Sequence, residues 1–191
     1  MSAFEFIFSL YSLLLGLSLV ELLSGLGRTV KARLNVDNAA RAQHRIGWLT
    51  PLLALFVMLD LLSFWSAAWA VRDVIAVSGA SLMGTMLFAS AYYLAAHLVF
   101  PDKAPANGDL DPHYFRVRRI IIAMLFALLV IQLGYYLSQP ELAPRLMNPQ
   151  ALSLTVILVA LMAAVCLVRS TAANVAVLLA LVARYAIVYL I

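Results

Sequence analysis

The sequence predicts an all-α polytopic membrane protein, a bundle of six transmembrane helices with short loops, and three observations carry that expectation. Hydrophobic residues make up 65% of the chain and charged residues only 12%, with a mean hydropathy of +0.99, far from the usage of water-soluble domains. Six apolar stretches near the length that crosses a hydrocarbon core lie at 4–27, 46–71, 74–100, 117–138, 149–168 and 171–191. The seven prolines fall in loops or near the ends of these stretches, where a missing N–H costs a helix little. Helices and closed barrels alone satisfy their backbone inside lipid, and no run of short alternating strands is legible. The whole chain, 1–191, reads as a single transmembrane domain, because the longest non-apolar stretches, 28–45 and 101–116, are too short for a soluble one.

The first stretch has no basic leading segment, carries Glu5 and Glu21, and runs into a basic loop without a small-residue cleavage site, so it is expected to be a retained helix rather than a signal peptide. Its polar residues change face part-way: Glu5, Ser9, Ser12 and Gly16 share one side, and Ser18, Glu21, Gly25 and Arg28 nearly the opposite one. The second stretch carries Asp60 near its middle. The third is rich in Gly, Ala, Ser and Thr, a composition suited to the crowded centre of a bundle or to the wall of a pore, and Pro101 closes it. Asp111-Pro112 and Asn148-Pro149 read as N-caps followed by proline at the first helical position, opening the fourth and fifth stretches. Gln132 lies in the fourth and needs a polar partner. Ser170 or Thr171 can cap the sixth, where Ala172, Ala176, Ala180 and Arg184 recur every four residues as a stripe expected to face protein.

Lys and Arg set the orientation. Ten of the 13 lie in alternate loops: Arg28, Lys31, Arg33, Arg41 and Arg45 in the first, Lys103, Arg116, Arg118 and Arg119 in the third, and Arg169 in the fifth. Those loops are expected to be cytoplasmic, leaving both termini on the other side of a bacterial-type inner membrane. Aromatic residues agree: Phe4, Phe6, Trp65, Trp69, Tyr135, Tyr136, Tyr185 and Tyr189 would form an outer belt, and Trp48, Phe100, Tyr114 and Phe115 an inner one. The basic loops would also attract anionic lipid headgroups, at about 1 kcal/mol per Lys or Arg.

Function then rests on the few charges inside the spans. At a rise of about 1.5 Å per residue, Asp60 lies within about 3 Å of the midplane, Arg184 about 5 Å to the outer side and Glu21 about 8 Å to the inner side. A charge facing lipid at such depth costs about 3 kcal/mol, so partners inside the bundle are expected. Asp60 and Arg184 share a depth, and three readings stay open for them: an ion pair that fixes helix register, a gate or selectivity element in a pathway that includes Glu21 and Gln132, or no pair at all.

Catalytic chemistry is poorly supplied. Ser81 occurs as GASLMG and His97 lies on the same helix, too far along it to meet the serine. His44, His97 and His113, with Asp102, Asp109 and Asp111, lack metal-ligand spacing, so no metal or cofactor is expected. Cys166, the single cysteine, reads as a small apolar residue. A net charge of +4 and a pI near 9.5 reflect the topology signal, and nucleic acid is not an expected partner. The sequence therefore points to a non-enzyme: a small channel or transporter for an ion or small solute, expected to be a homo-oligomer. The alternative is a non-catalytic membrane subunit that anchors or regulates a partner complex.

Overall fold

A computed structural model describes residues 3–34, 47–74, 78–103 and 108–190. Arg41, His44 and Arg45 lie outside the described residues. Among those described, seven helices follow in order: α1 (Ala3–Leu34), α2 (Leu49–Ala70), α3 (Gly79–Val99), α4 (Asp111–Ser138), the single-turn α5 (Ala143–Leu146), α6 (Pro149–Leu167) and α7 (Thr171–Leu190). All but α5 are long and apolar enough to cross a membrane, and among the described residues there is no strand. The protein is a six-helix membrane bundle.

Helix limits depart from the apolar limits where hydrogen bonding outlasts hydrophobicity. α1 runs on through Arg28 and Lys31 to Leu34, and α4 begins at Asp111, before Arg116, because charged residues continue a helix once its ladder is established. Asn148 caps α6 as expected, its side chain accepting from the Gln150 N–H at 3.1 Å. Asp111 does not cap its own helix. Leu110 holds that position, and the Asp111 carboxylate instead accepts from the Leu49 N–H at 3.3 Å, while the Thr50 hydroxyl donates to the Leu110 carbonyl at 3.1 Å. Asp111 thus serves the first turn of α2, which has no side-chain cap of its own. Asp111→Ala should lower thermal stability in detergent by about 1 kcal/mol, with Asp111→Asn retaining most of it; equal loss in both would show that charge rather than an acceptor is needed.

The helices alternate in direction and stand in a ring, α1–α3–α4–α6–α7–α2, with α2 also touching α3 and α4 across the centre. α1 begins and α7 ends at the same end of the bundle, here the terminal end. There Phe8 packs against Trp65 and Trp69. Gly25 of α1 lies against the residue that follows α3, so that any side chain there would strike the Phe100 ring. The best-packed part of the core lies from the middle of the bundle toward the far end: Leu49, Leu53, Ala54, Phe56 and Val57 of α2 are fully buried, together with Ile121, Val165, Leu178 and Leu181.

Two expected faces are corrected. α7 buries Asn174, Leu178, Leu181 and Tyr185, leaving Ala172, Ala176 and Ala180 exposed, so the alanine stripe does not face the protein's own core. Tyr185 and Tyr114 are likewise core residues with 2% and 0% exposure rather than members of the aromatic belts.

Candidate functional site

Asp60 stands half-way along the central helix, where α2 is surrounded by α3, α4 and α7. Its two carboxylate oxygens are each claimed by a tyrosine from a different helix. The Tyr92 hydroxyl donates to Oδ2 at 2.7 Å, and the Tyr185 hydroxyl donates to Oδ1. Both tyrosines are almost fully buried, and the helices present them because each lies on its helix's packed stripe: Ala89, Tyr92, Ala96 and Val99 on α3, and Asn174, Leu178, Leu181 and Tyr185 on α7. A carboxylate with two hydroxyl donors keeps lone pairs to spare, so the arrangement satisfies the tyrosines and leaves Asp60 able to accept more.

Those spare lone pairs belong to a carboxylate that borders a polar cavity of about 100 Å³, lined by Asp60, Ser63, Gln132, Thr155, Arg184 and the rings of Phe64, Tyr92 and Tyr185, among others. That is room for about three water molecules at liquid density. Arg184 reaches the cavity from α7 with its guanidinium carbon 4.7 Å from the Tyr185 ring centroid. Its Nε is buried without a hydrogen-bond partner. Asp60 and Arg184 therefore share a cavity, as their matched depths suggest, but the ion pairs among the described residues do not include them. The tyrosines occupy the contacts a direct pair would have used.

Gln132 also borders a larger space. Its amide donates to the Tyr136 hydroxyl at 3.4 Å, and Gln132 and Phe64 line both the polar cavity and a second cavity of about 540 Å³. The second cavity is walled by Phe4, Phe8 and Tyr11 of α1, Phe64 of α2, Thr85 and Phe88 of α3, and Tyr135 of α4, and it extends to Val74, Ser78 and Gln139 at the terminal end. Phe64 and Phe88 stack with centroids 4.1 Å apart, and Tyr11 meets Phe64 edge-on at 5.6 Å. The Tyr11 hydroxyl is buried and has no hydrogen-bond partner. An apolar, aromatic chamber beside a few buried polar groups has the general form of a small-molecule site.

Glu21 is not part of this arrangement. It faces His97 of α3, Nδ1 to Oε1 at 3.2 Å, on a partly exposed flank of the α1–α3 contact, and it lines neither cavity. His97 is thus the neighbour of a carboxylate on another helix, a pairing the spacing of a single helix does not reveal. Ser90, also on α3, is exposed.

A second buried polar cluster is not legible in the sequence, where Arg118 reads as a loop charge. Arg118 is 3% exposed and its Nη1 donates to the Val168 carbonyl at 2.5 Å and to Asn174 Oδ1 at 2.8 Å. The Tyr114 hydroxyl donates to the same Asn174 oxygen at 2.8 Å, and Asn174 Nδ2 donates to the Val168 and Ser170 carbonyls at 3.0 and 2.8 Å. Arg119 Nε adds a bond to the Cys166 carbonyl at 3.3 Å. The end of α6 leaves carbonyls unpaired and carries the negative pole of the helix dipole, so two arginines of α4 are drawn to it. The cluster ties α4, α6 and α7 together and lines neither cavity.

No protein-family model matches the chain, and neither the curated proteins nor the solved structures contain a significant match to it. The reading of the site therefore rests on its geometry.

Proposed function

We propose that the protein is a small membrane transporter, non-catalytic, that takes an ion or small solute from its terminal end to the charged centre at Asp60 and Arg184. The observation that carries this reading is the adjacency of an aromatic chamber and a polar cavity at mid-bundle, which share Gln132 and Phe64 as lining residues. Charges held at such depth at the edge of a cavity are characteristic of solute and ion pathways. Of a channel and a transporter, the second is favoured because the path stops: Leu53, Phe56, Val57 and Ile121, toward the far end, have no exposure, so passage onward requires a second arrangement of the helices. On the charge distribution of the loops we place the terminal end outside a bacterial-type inner membrane. Arg28 and Lys31, exposed on the extension of α1, then lie where anionic lipid would meet them.

Cysteine accessibility tests the pathway. In a Cys166→Ser background, Thr85→Cys and Ser63→Cys should both react with a water-soluble thiosulfonate added at the terminal side, the deeper one more slowly. Reaction from the opposite side alone, or at neither position, would reject it. A specific feature favours a second reading as a membrane subunit of a larger assembly: the exposed face of Ala172, Ala176 and Ala180 is the kind of surface against which another helix packs closely. A homo-oligomer would use that face in the transporter reading. Stoichiometric co-purification of a different membrane protein, with no flux in liposomes, would favour the subunit.

A further inference from the structure

The hydrogen-bond balance of the two cavities specifies what kind of solute they suit. No acceptor at Asp60 lacks a donor, since its oxygens serve Tyr92 and Tyr185, although lone pairs remain to spare. The unmet demand is for something to accept. Among the described residues, the buried side-chain nitrogen and oxygen atoms without a partner are Tyr11 Oη, Arg118 Nε and Arg184 Nε, all of which can donate, and two of the three border the cavities. Among the described residues no hydrogen bond or ion pair reaches Arg184, whose cation is held at mid-bundle by the Tyr185 ring. A guanidinium with no hydrogen-bonded anion in a confined site is matched by a carboxylate, which it can hold with two parallel bonds. The chamber beyond Gln132 is walled by aromatic rings and matches an apolar or aromatic body. Its Tyr11 hydroxyl is a further donor.

Resting on the solute-transporter reading above, we propose that the site takes a monocarboxylic organic acid with an aromatic or short apolar body, its carboxylate on Arg184 and its body among Phe8, Tyr11, Phe64 and Phe88. The opposite assignment, an organic amine on Asp60, leaves the Arg184 and Tyr11 donors unmet and brings a second cation beside the guanidinium. The two assignments make opposite demands on Asp60: an ionised carboxylate there repels a carboxylate and attracts an amine.

The full chain in lipid nanodiscs provides the test, with radiolabelled phenylacetate and its amine counterpart phenethylamine as probes in a scintillation-proximity assay. Phenylacetate should bind saturably and phenethylamine should not. Arg184→Gln should weaken phenylacetate binding by about tenfold or more, the loss of a charge-assisted pair, with Arg184→Lys intermediate. Asp60→Asn should retain or tighten it. Size-exclusion elution and helical circular dichroism verify that each variant is folded, and Tyr11→Phe, which removes a hydroxyl with no partner, should weaken phenylacetate about threefold without lowering stability. Equal binding by Arg184→Gln, loss of binding in a folded Asp60→Asn protein, preference for phenethylamine, or no saturable binding of either probe would each overturn the assignment. If the thiosulfonate still reaches Thr85→Cys and Ser63→Cys in that case, the transporter reading survives it; if it reaches neither, both fall.

Discussion

Asp60→Asn is expected to destabilise the bundle by about 1–3 kcal/mol, and Tyr185→Phe in that background is expected to add little further loss. The carboxylate is approached by hydroxyls from two other helices, one on each oxygen. An amide keeps the shape but offers one oxygen and one NH2, so one tyrosine must turn to accept a bond and leave its own proton without an acceptor in a buried place. Interhelical hydrogen bonds in membranes average only about 0.6 kcal/mol, because the separated helices find other partners. Asp60 should exceed that average: its bonds involve a carboxylate, it serves two helices at once, and Tyr92 and Tyr185 are only 3% and 2% exposed. Tyr185→Phe alone should cost about 1 kcal/mol. A double-mutant cycle measured by unfolding in detergent then reads the coupling directly, and simple additivity of the two single losses would show that the Tyr185 bond contributes nothing.

Asn174→Ala should cost about 3 kcal/mol, at the upper end of the range for a lost buried polar partner. The side chain is fully buried and satisfies four groups at once: the Tyr114 hydroxyl, the Arg118 guanidinium, and the Val168 and Ser170 carbonyls. Truncation leaves a cation and a phenol facing each other with one acceptor fewer, and frees the end of α6. Asn174→Asp separates two explanations. It supplies Arg118 with an anion but removes both N–H donors and sets a negative charge against two carbonyls. It should therefore remain clearly destabilised; stability equal to wild type would mean that charge neutralisation, rather than the bridging amide, holds α4 to the α6–α7 turn.

The sequence makes some of this legible and leaves the rest hidden for identifiable reasons. Asp60, Arg184 and Gln132 stand out because an ionisable or amide group in lipid is costly wherever its helix points, and the structure places all three on one cavity. Their partners cannot be named from the sequence. Tyr92 and Tyr185 are amphipathic residues that suit a membrane interface as well as a core, and only the neighbours on their helix faces distinguish the two. Glu21 is separated from Asp60 by the placement of α1 against α3, a matter of helix order around the ring. Arg118 looks like one more basic residue beside the membrane until the α6–α7 turn folds over it.

What the chain determined by itself is the number of its spanning helices and their approximate places along the sequence, because the cost of placing a segment in hydrocarbon is a sum over its own residues. Which face of each helix turns inward was decided only by the assembled bundle. In water, apolar residues mark the buried side; in lipid, Leu is as well placed outside as inside, so the alanine stripe of α7 and the stripe of Leu178, Leu181 and Tyr185 are equally soluble alternatives. The choice between them falls to packing and to the few polar groups that must find one another, and it is that choice which sets Asp60 and Arg184 on one polar cavity beside an aromatic chamber.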